Sequence, residues 1–476
     1  MPGSPAGRYC GGMTALERLQ AELGTIVSVD PAELSAARAD KSGWVAAGLP
    51  LAVVRAGTVE HVQATLRIAS EWRVPVVTRG AGTGLAGGAC GTDGSIVLSV
   101  AGMNRILEIR PEDELAVVEP GVINQQLNDA LLEHGLWFAP DPASKAISTV
   151  GGNIATNAGG LLCAKYGVTR EAVLGLTVVL ADGSLLRTGR RTVKGVTGYD
   201  LTALLTGSEG TLGVIVEAVV RARAITAGET VTIGAVFADV AGAAAASAQV
   251  TAARIRPAVM ELIDPVALAL IAAHLGPAAS AGLPLGRGAF LLLQTDGPAA
   301  RAEAEQAVAV LRAAGGEARV STDAASAERL LAVRRAAHPA LAAHGQVLIE
   351  DVCVPRSRMK EMFDRIAEIS ARTGVPIPTI AHAGDGNLHP NFVIPVDRLR
   401  GDDDQVVPEP IWAAAGELFR AALDLGGTLT GEHGVGVLKR RWLAEELGDT
   451  SFDLQRRIKT VFDPLGILNP GTMFAS

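Results

Sequence analysis

The stretch from Val74 to Ala89 reads VPVVTRGAGTGLAGGA and places a glycine-rich loop directly after a short β-branched run. The run VPVVT has the composition of a buried strand. Glycine lacks a Cβ atom, so the backbone of the loop can approach a pyrophosphate group and offer it several N–H donors. The stretch therefore predicts a strand that ends in a phosphate-binding loop.

Three of these glycines, Gly82, Gly84 and Gly87, match the GxGxxG pattern of Rossmann units. That fold requires a helix directly after the glycines, because the helix N-terminus faces the phosphates. Here the chain continues as CGTDGSIVLSV, residues 90–100, which indicates a turn and a second strand. We therefore do not expect a Rossmann unit.

Further glycine-rich segments follow the loop. They read PDPAS at 140–144, STVGGNIATNAGG at 148–160 and TGYDLTALLTGSEGTLGVI at 197–215. Together with the first loop they resemble the FAD-binding domain of the vanillyl-alcohol oxidase type, also called the PCMH type, over nearly the whole first half of the chain. The resemblance implies FAD contacts from Arg79, Gly80, Gly82, Thr83, Gly84, Pro120, Gly121, Asp141, Gly152, Asn153, Thr156, Gly159, Glu209, Gly210 and Ile215. Any single glycine of this set has the alternative of a plain turn residue. Relatives with covalent FAD carry a histidine where this chain has Thr83, so we expect noncovalent FAD.

Composition narrows the class of protein. The 476 residues carry a net charge of −8 without a concentrated basic run, which argues against a nucleic-acid partner. The four cysteines form no CxxC pair, so they predict neither a local iron–sulfur cluster nor a zinc site. No apolar stretch reaches the roughly 18 residues of a transmembrane helix. We expect a cytoplasmic protein, with any contact to the inner membrane face being peripheral.

The distribution of strand-like and helical segments along the chain predicts an α+β fold with three parts. Strand-like runs with few helices characterise residues 52–215, and we assign residues 1–225 to the FAD-binding domain, with two α/β subdomains and an N-terminal leader. Strand-like runs then alternate with Ala-rich helical stretches, as expected for a substrate or cap domain at 226–425 with helices on one face of an antiparallel sheet. Residues 426–476 are predicted to return to the FAD domain.

Three of the eight histidines fall in two compact motifs, HAGDGNLH at 382–389 and GEHGVG at 431–436. The central GDG predicts a turn that brings His382 and His389 together. Two imidazoles and a carboxylate suit Zn²⁺ or Mn²⁺ and leave positions open for substrate. The alternative is that both histidines only hydrogen-bond within the turn. An imidazole ordinarily titrates near neutrality, which suits His433 to the role of general base, and Glu432 beside it is the natural third ligand.

These motifs look like those of the flavin-dependent D-lactate dehydrogenase, glycolate oxidase and D-2-hydroxyglutarate dehydrogenase group. The resemblance implies metal ligation by His382, His389 and Glu432, proton removal by His433 and binding of the substrate carboxylate by Arg334. It adds Asn391 beside the ligands and Asn469 in the closing motif LNPGTM near the flavin. Thr472 stands where that motif usually carries lysine.

The substrate predicted in this way is a small D-2-hydroxy acid of the D-lactate type, oxidised by hydride transfer to FAD. The 2-hydroxyglutarate branch places a lysine where Ile349 stands and a threonine where His338 stands. That enzyme and a glycolate oxidase FAD subunit remain alternatives, as do a nicotinamide-dependent dehydrogenase and a metal-dependent hydrolase. The electron acceptor is left open among a quinone, a cytochrome, an electron-transfer flavoprotein and an iron–sulfur subunit. The oligomeric state is also open, with a homodimer as one option.

Overall fold

The computed structural model describes residues 13–280, 283, 285, 288–394 and 407–474. The chain divides into two units. The first comprises residues 1–160, 167–225 and 432–476, and the second comprises residues 161–166 and 226–431. The long segment of the second unit thus starts at Thr226, and the return to the first unit starts at Glu432. Nothing in the sequence pattern indicated that the short segment Leu161–Tyr166 belongs to the second unit.

The first unit begins with a four-stranded sheet. Its elements are α1 (Ala15–Leu23), β1 (Val27–Ser28), α2 (Pro31–Ala36), β2 (Ala52–Arg55), α3 (Val59–Trp72), β3 (Val76–Arg79) and β4 (Ile96–Ser99). The strand order is β1-β2-β4-β3, with β2, β4 and β3 parallel. Helix α3 is capped by the Thr58 side chain, which accepts from the His61 amide, and packs Leu66 and Ile68 into the core. The chain runs from β3 to β4 without a helix, so the GxGxxG match does not form a Rossmann unit.

A five-stranded antiparallel sheet forms the second part of this unit. Its elements are β5 (Ile106–Arg110), β6 (Leu115–Val118), α4 (Asn124–Leu132), β7 (Leu136–Trp137), α5 (Val150–Thr156), α7 (Thr169–Ala172), β8 (Val173–Val179), β9 (Leu185–Gly189), α8 (Leu201–Leu205), β10 (Val214–Arg221) and β11 (Arg223–Ala224). The order is β5-β6-β10-β8-β9, and β7 pairs separately with β11. Alternate residues of β6 and β10 pack on α4 and α5, with Leu127, Phe138 and Ile154 fully buried.

The C-terminal segment completes the first unit. Helix α16 (Leu443–Phe462) is broken at Gly448, and Leu468 then bridges to Val76 of β3. The Lys459 ammonium donates to the carbonyls of Thr211 and Leu468 at 2.8 Å and pairs with Asp463. No helix in the described part of the chain is long and apolar enough to cross a membrane.

The second unit is built on one seven-stranded antiparallel sheet. Its strands are β12 (Glu229–Phe237), β13 (Val259–Ile263), β14 (Ala289–Gly297), β15 (Glu317–Val320), β16 (Gln346–Ile349), β17 (Thr379–His382) and β18 (Asn387–Ile394). The order is β15-β12-β14-β13-β17-β18-β16. Its helices are α6 (Cys163–Tyr166), α9 (Val240–Ala252), α10 (Pro265–Ser280), α11 (Ala300–Ala313), α12 (Ala324–Arg335), α13 (Ala337–Ala342), α14 (Met359–Thr373) and α15 (Glu409–Asp424).

Helices cover both faces of this sheet. A Cβ on Gly234 would meet the Leu330 side chain of α12, whereas Gly242 of α9 lies against the Phe237 ring. Residues 234 and 237 of β12 point to opposite faces because side chains alternate along a strand. The prediction of helices on a single face was therefore wrong. Ala-rich stretches look alike on either face, so their composition did not reveal which side of the sheet they cover.

Candidate functional site

The side chain of Arg79 holds the glycine-rich loop that follows β3. The Arg79 Nη1 group donates to the carbonyls of Ala39 and Ala89, each at 2.8 Å. Gly82 has φ +69°, and a Cβ at this position would overlap the Arg79 guanidinium, with Cζ only 2.5 Å away. The sequence predicted Arg79 as a cofactor residue, and the structure uses its guanidinium to shape the loop.

The same loop lies against the start of α5. A Cβ on Gly80 would overlap the Thr149 hydroxyl, and that hydroxyl caps α5 by accepting from the Gly152 amide at 3.2 Å. Thr149 is thus a supporting residue that the sequence reasoning missed. Its T-x-x-G spacing carried the signal of a helix cap. Pro120 and Gly121 follow β6, and Pro120 also lies against the start of α5, since a Cβ on Gly151 would lie 2.5 Å from Pro120 Cβ.

Unsatisfied polar groups surround this loop. The backbone N–H groups of Gly82, Thr83 and Gly84 donate to no residue in the described ranges. Buried side-chain atoms without a partner there include Thr78 Oγ1, Ser148 Oγ and Asn153 Nδ2. Buried polar atoms are normally hydrogen-bonded, so such a set calls for a ligand with many acceptors and some donors. The residues present therefore fit FAD, with the loop amides suited to its pyrophosphate.

Other predicted FAD residues occupy the surrounding elements. Asp141 is buried beside Gly160 in the loop before α5, and the Thr156 hydroxyl donates to Gly152 O at 3.2 Å within α5. Gly159 follows α5, and a Cβ there would lie 2.5 Å from Glu432 Oε2. Ile215 lies on β10, half-buried and paired with Val178.

Glu209 and Asn469 connect the C-terminal segment to the rest of the first unit. The buried Glu209 carboxylate accepts the amide N–H groups of Val435 and Gly436 at 2.7 and 2.8 Å. The Asn469 amide donates to the carbonyls of Gly88 and Glu209 at 2.9 and 2.7 Å, and Gly210 lies beside it. Glu209 thereby holds the GVG residues that follow His433.

The HAGDGNLH segment of the second unit forms a tight hairpin. Strand β17 ends at His382, residues 383–386 turn, and β18 begins at Asn387. The Asp385 carboxylate accepts the Asn387 amide at 3.1 Å, which fixes the turn. The rings of His382 and His389 lie with their centroids 4.9 Å apart at an interplanar angle of 86°. The two imidazoles therefore converge on one point.

Glu432 is the residue at which the chain passes from the second unit to the first. It is bonded to Gly431, the last residue of the second unit, and Gly431 donates its amide to Asp351 O at 2.8 Å. One donor atom from each of His382, His389 and Glu432 lies within 4.8 Å of the others. Two nitrogens and a carboxylate oxygen at this spacing fit Zn²⁺ or Mn²⁺. His433 follows directly, with Nε2 3.7 Å from Glu432 Oε1.

Glu261 is a further member of this cluster that sequence reasoning did not find. Its Oε1 lies 2.6 Å from His382 Nδ1, and its Oε2 accepts from Arg334 Nε at 2.6 Å. Burial by itself would raise the pKa of Glu261, but electrostatic attraction and hydrogen bonds from His382 and Arg334 hold that pKa below its ordinary value. Arg334, predicted to bind substrate directly, is thus already anchored through one nitrogen. Arg335 pairs with Glu328 on the exposed side of α12.

Ile349 and Asn391 lie next to the histidines. The Asn391 amide donates to His389 O at 2.7 Å and to Pro378 O at 3.1 Å, so it orders the backbone of β18. Ile349 pairs with Asn391 across β16 and β18, and Asn391 and His389 are two residues apart on β18. Ile349, Asn391 and His389 therefore share one face of the sheet.

Comparison with known families supplies the identification. Residues 50–189 match the family described as FAD binding domain, and residues 227–473 match the family described as FAD linked oxidases, C-terminal domain. The chain belongs to the FAD-linked oxidases. It is accordingly a flavoprotein oxidoreductase with FAD as its cofactor.

Relatives of this FAD-linked oxidase include two types of named enzyme. The chain is 41% identical over 432 residues to glycolate oxidase subunit GlcD of Bacillus subtilis (strain 168), which covers 90% of this chain and 89% of the relative. It is 36% identical over 422 residues to a D-lactate dehydrogenase of Archaeoglobus fulgidus, covering 88% and 90%. Among solved structures, p-cresol methylhydroxylase with substrate bound matches with a TM-score of 0.78 at 20% identity and covers 96% of each chain. That match concerns the fold and agrees with the PCMH-type architecture predicted from the sequence.

Proposed function

We propose that this FAD-linked oxidase converts a small D-2-hydroxy acid of the D-lactate type into the 2-oxo acid. The observation that carries the proposal is the group formed by His382, His389 and Glu432, with His433 next in the chain. A 2-hydroxy acid presents a hydroxyl and a carboxylate that can chelate one divalent cation together. The relatives named glycolate oxidase and D-lactate dehydrogenase act, by their names, on acids of this class.

The side chains divide the chemical tasks. His382, His389 and Glu432 would hold Zn²⁺ or Mn²⁺, and such a cation lowers the pKa of a bound hydroxyl. His433 would accept the hydroxyl proton, since an imidazole has a pKa suited to this role near neutrality. Arg334 would bind the substrate carboxylate through its two Nη groups, which donate to no residue in the described part of the chain. Bound FAD supplies the acceptor for the α-hydrogen and its electron pair.

Ile349 supports a monocarboxylic substrate. It is apolar and lies on the sheet face of His389, so it would contact a methyl group without cost and leave a second carboxylate unpaired. Glycolate, which differs from D-lactate by that methyl group, is the second candidate. It is supported by the relatives named glycolate oxidase subunit GlcD.

The electrons must then leave the flavin. Because some relatives are named as subunits, we propose a partner as electron acceptor, with an iron–sulfur subunit, a quinone, a cytochrome and an electron-transfer flavoprotein as the chemical options. The FAD is proposed to be noncovalent because Thr83 offers no imidazole for attachment.

The test is a comparison of kcat/KM for D-lactate, glycolate and D-2-hydroxyglutarate with an artificial electron acceptor. We expect D-lactate to be preferred, with glycolate lower by the contribution of one buried methyl group, about tenfold. L-lactate serves as the stereochemical control. A preference for the dicarboxylate by more than about tenfold would contradict the assignment of Ile349.

A further inference from the structure

Glu261 lies in the middle of a fully buried strand, where a charged side chain is costly. All five residues of β13 are buried, and Glu261 itself is 0% exposed. Strand β13 pairs with β17 so that Glu261 stands directly opposite His382. Directly opposed residues of an antiparallel pair point to the same face of the sheet. The pairing therefore places the carboxylate beside the imidazole, although 121 residues separate them in sequence.

Each oxygen of this carboxylate has its own partner. Oε1 faces His382 Nδ1 at 2.6 Å, and Oε2 accepts the Nε–H of Arg334 at 2.6 Å. The side chain of Arg334 is 21% exposed and that of His382 is 7% exposed, so both contacts are largely shielded from water. An ion pair so buried gains little net stability, since desolvation offsets the attraction. Stability alone is a weak reason for a carboxylate at this position.

The contact with His382 has a chemical consequence. An ionised carboxylate only accepts hydrogen bonds, so His382 Nδ1 must carry the hydrogen. A neutral imidazole protonated at Nδ1 has its lone pair at Nε2. Carboxylates that accept from a ligating histidine in this manner fix both its tautomer and its ring orientation.

The contact with Arg334 orients a second group. Holding Nε fixes the plane of the guanidinium and leaves the two Nη groups as the remaining donors. The fork of an arginine matches a carboxylate through two parallel hydrogen bonds. The Glu261 carboxylate thus orients both the imidazole of His382 and the guanidinium of Arg334.

We propose that Glu261 is a positioning residue shared by the metal site and the group that binds the substrate carboxylate. This inference rests on the proposed oxidation of a 2-hydroxy acid, in which a single substrate needs both groups. Glu261 itself touches neither metal nor substrate. It acts by keeping His382 in the Nδ1–H tautomer and by keeping the guanidinium of Arg334 in one orientation.

The first test is Glu261→Gln, which preserves volume and removes the charge. A glutamine amide has one oxygen and one NH₂ group, so it cannot accept from both partners, and one contact becomes donor against donor. In the FAD-containing enzyme stripped with a chelator, we expect titrated Zn²⁺ or Mn²⁺ to bind about 10- to 100-fold more weakly than to the wild type. KM for D-lactate should rise as well, because Arg334 loses its anchor. FAD content should be unchanged.

The matched control is Glu229→Gln in the same unit. It makes the same chemical change at a side chain that is 49% exposed and paired with Arg301. We expect metal affinity and KM of this variant to equal those of the wild type. If it weakened metal binding as much as Glu261→Gln does, the effect would be general loss of charge and the proposal would fail.

A second readout reports the tautomer of His382 directly. Long-range ¹H–¹⁵N spectra of metal-free enzyme labelled at its eight histidines, assigned with a His382→Gln variant, distinguish Nδ1–H from Nε2–H. We expect the Nδ1–H form in the wild type and loss of that form in Glu261→Gln. An unchanged tautomer with unchanged metal affinity would overturn the proposal.

If Glu261→Gln fails to fold because Arg334 is left unpaired, the double variant Glu261→Met with Arg334→Met removes both charges and leaves no oxygen at position 261 to accept from His382 Nδ1. It should fold and still lose the Nδ1–H form, and retention of that form would again overturn the proposal. Failure of the proposed function gives a different result. A wild type that oxidises no 2-hydroxy acid would refute the function, whereas the tautomer in the metal-free protein would still test the role of Glu261.

Discussion

Replacing Gly82 by alanine should sharply weaken FAD binding. The new Cβ would overlap the Arg79 guanidinium, and the residue would keep the left-handed φ of +69°. The conformation costs an L-residue about 1 kcal/mol. Moving Arg79 away breaks its hydrogen bonds to Ala39 and Ala89, each costing about 1 kcal/mol or slightly more. The sum is about 3 to 4 kcal/mol.

This cost should appear in the affinity for FAD, because the loop must regain its shape for the amides of Gly82, Thr83 and Gly84 to meet the pyrophosphate. A loss of about 3 to 4 kcal/mol corresponds to a Kd for FAD raised by about a few hundredfold. The assay is titration of deflavinated protein with FAD, followed by quenching of flavin fluorescence.

Gly135→Ala is the matched control. Gly135 has φ +67°, and no atom lies within 4 Å of the position that a Cβ would take, so this substitution brings the same conformational strain without the clash. We expect this variant to lose about 1 kcal/mol of unfolding free energy and to bind FAD like the wild type. Wild-type affinity in Gly82→Ala, or equal losses of affinity in both variants, would refute the role given to Arg79 and the loop.

Four further predictions concern the proposed chemistry and the stability of the second unit. His433→Asn should lower the rate of flavin reduction by substrate about 100- to 10,000-fold with FAD still bound, as measured by anaerobic stopped flow; near-normal reduction would remove His433 from its role. Chelation should slow turnover, and Zn²⁺ or Mn²⁺ should restore it, whereas activity indifferent to chelators would argue that His382 and His389 bind substrate directly. Burial raises the pKa of Asp264 from 3.8 to about 7, so between about pH 4 and 7 the folded state binds a proton that the unfolded state has lost. The free energy of unfolding should therefore fall by about 1.4 kcal/mol for each unit by which the pH rises in this range. Denaturant unfolding of wild type and Asp264→Asn should differ in this slope, and parallel slopes would contradict the prediction. Ile349→Lys should shift kcat/KM from D-lactate towards D-2-hydroxyglutarate, and an unaltered ratio would show that Ile349 does not line the pocket.

Local features of the sequence predicted much of the fold and of the site. The strand-to-loop transition at Arg79, the absence of a helix after the glycines and the hairpin between His382 and His389 all depend on neighbouring residues. Such features can be recognised from turn residues and β-branched runs. The antiparallel sheet of the second unit was also predicted, from strand-like runs that alternate with Ala-rich helical stretches.

Features that depend on distant pairing could not be predicted in this way. Glu261 stands in the ordinary strand sequence VMELI, and only the pairing of β13 with β17 brings it to His382. The contacts of Arg79 with Ala39 and of Glu209 with Val435 likewise join side chains to backbone groups of distant segments. No spacing rule connects Glu209 with Val435, which is 226 residues away.

The most direct measurement of the central claim is the absorbance of the bound flavin when D-lactate is added without oxygen and without any nicotinamide cofactor. The purified protein should be yellow, and the flavin band should bleach with formation of one pyruvate for each FAD. L-lactate should leave the band unchanged. A flavin that stays oxidised with D-lactate, glycolate and D-2-hydroxyglutarate alike would contradict the proposed oxidation of a D-2-hydroxy acid.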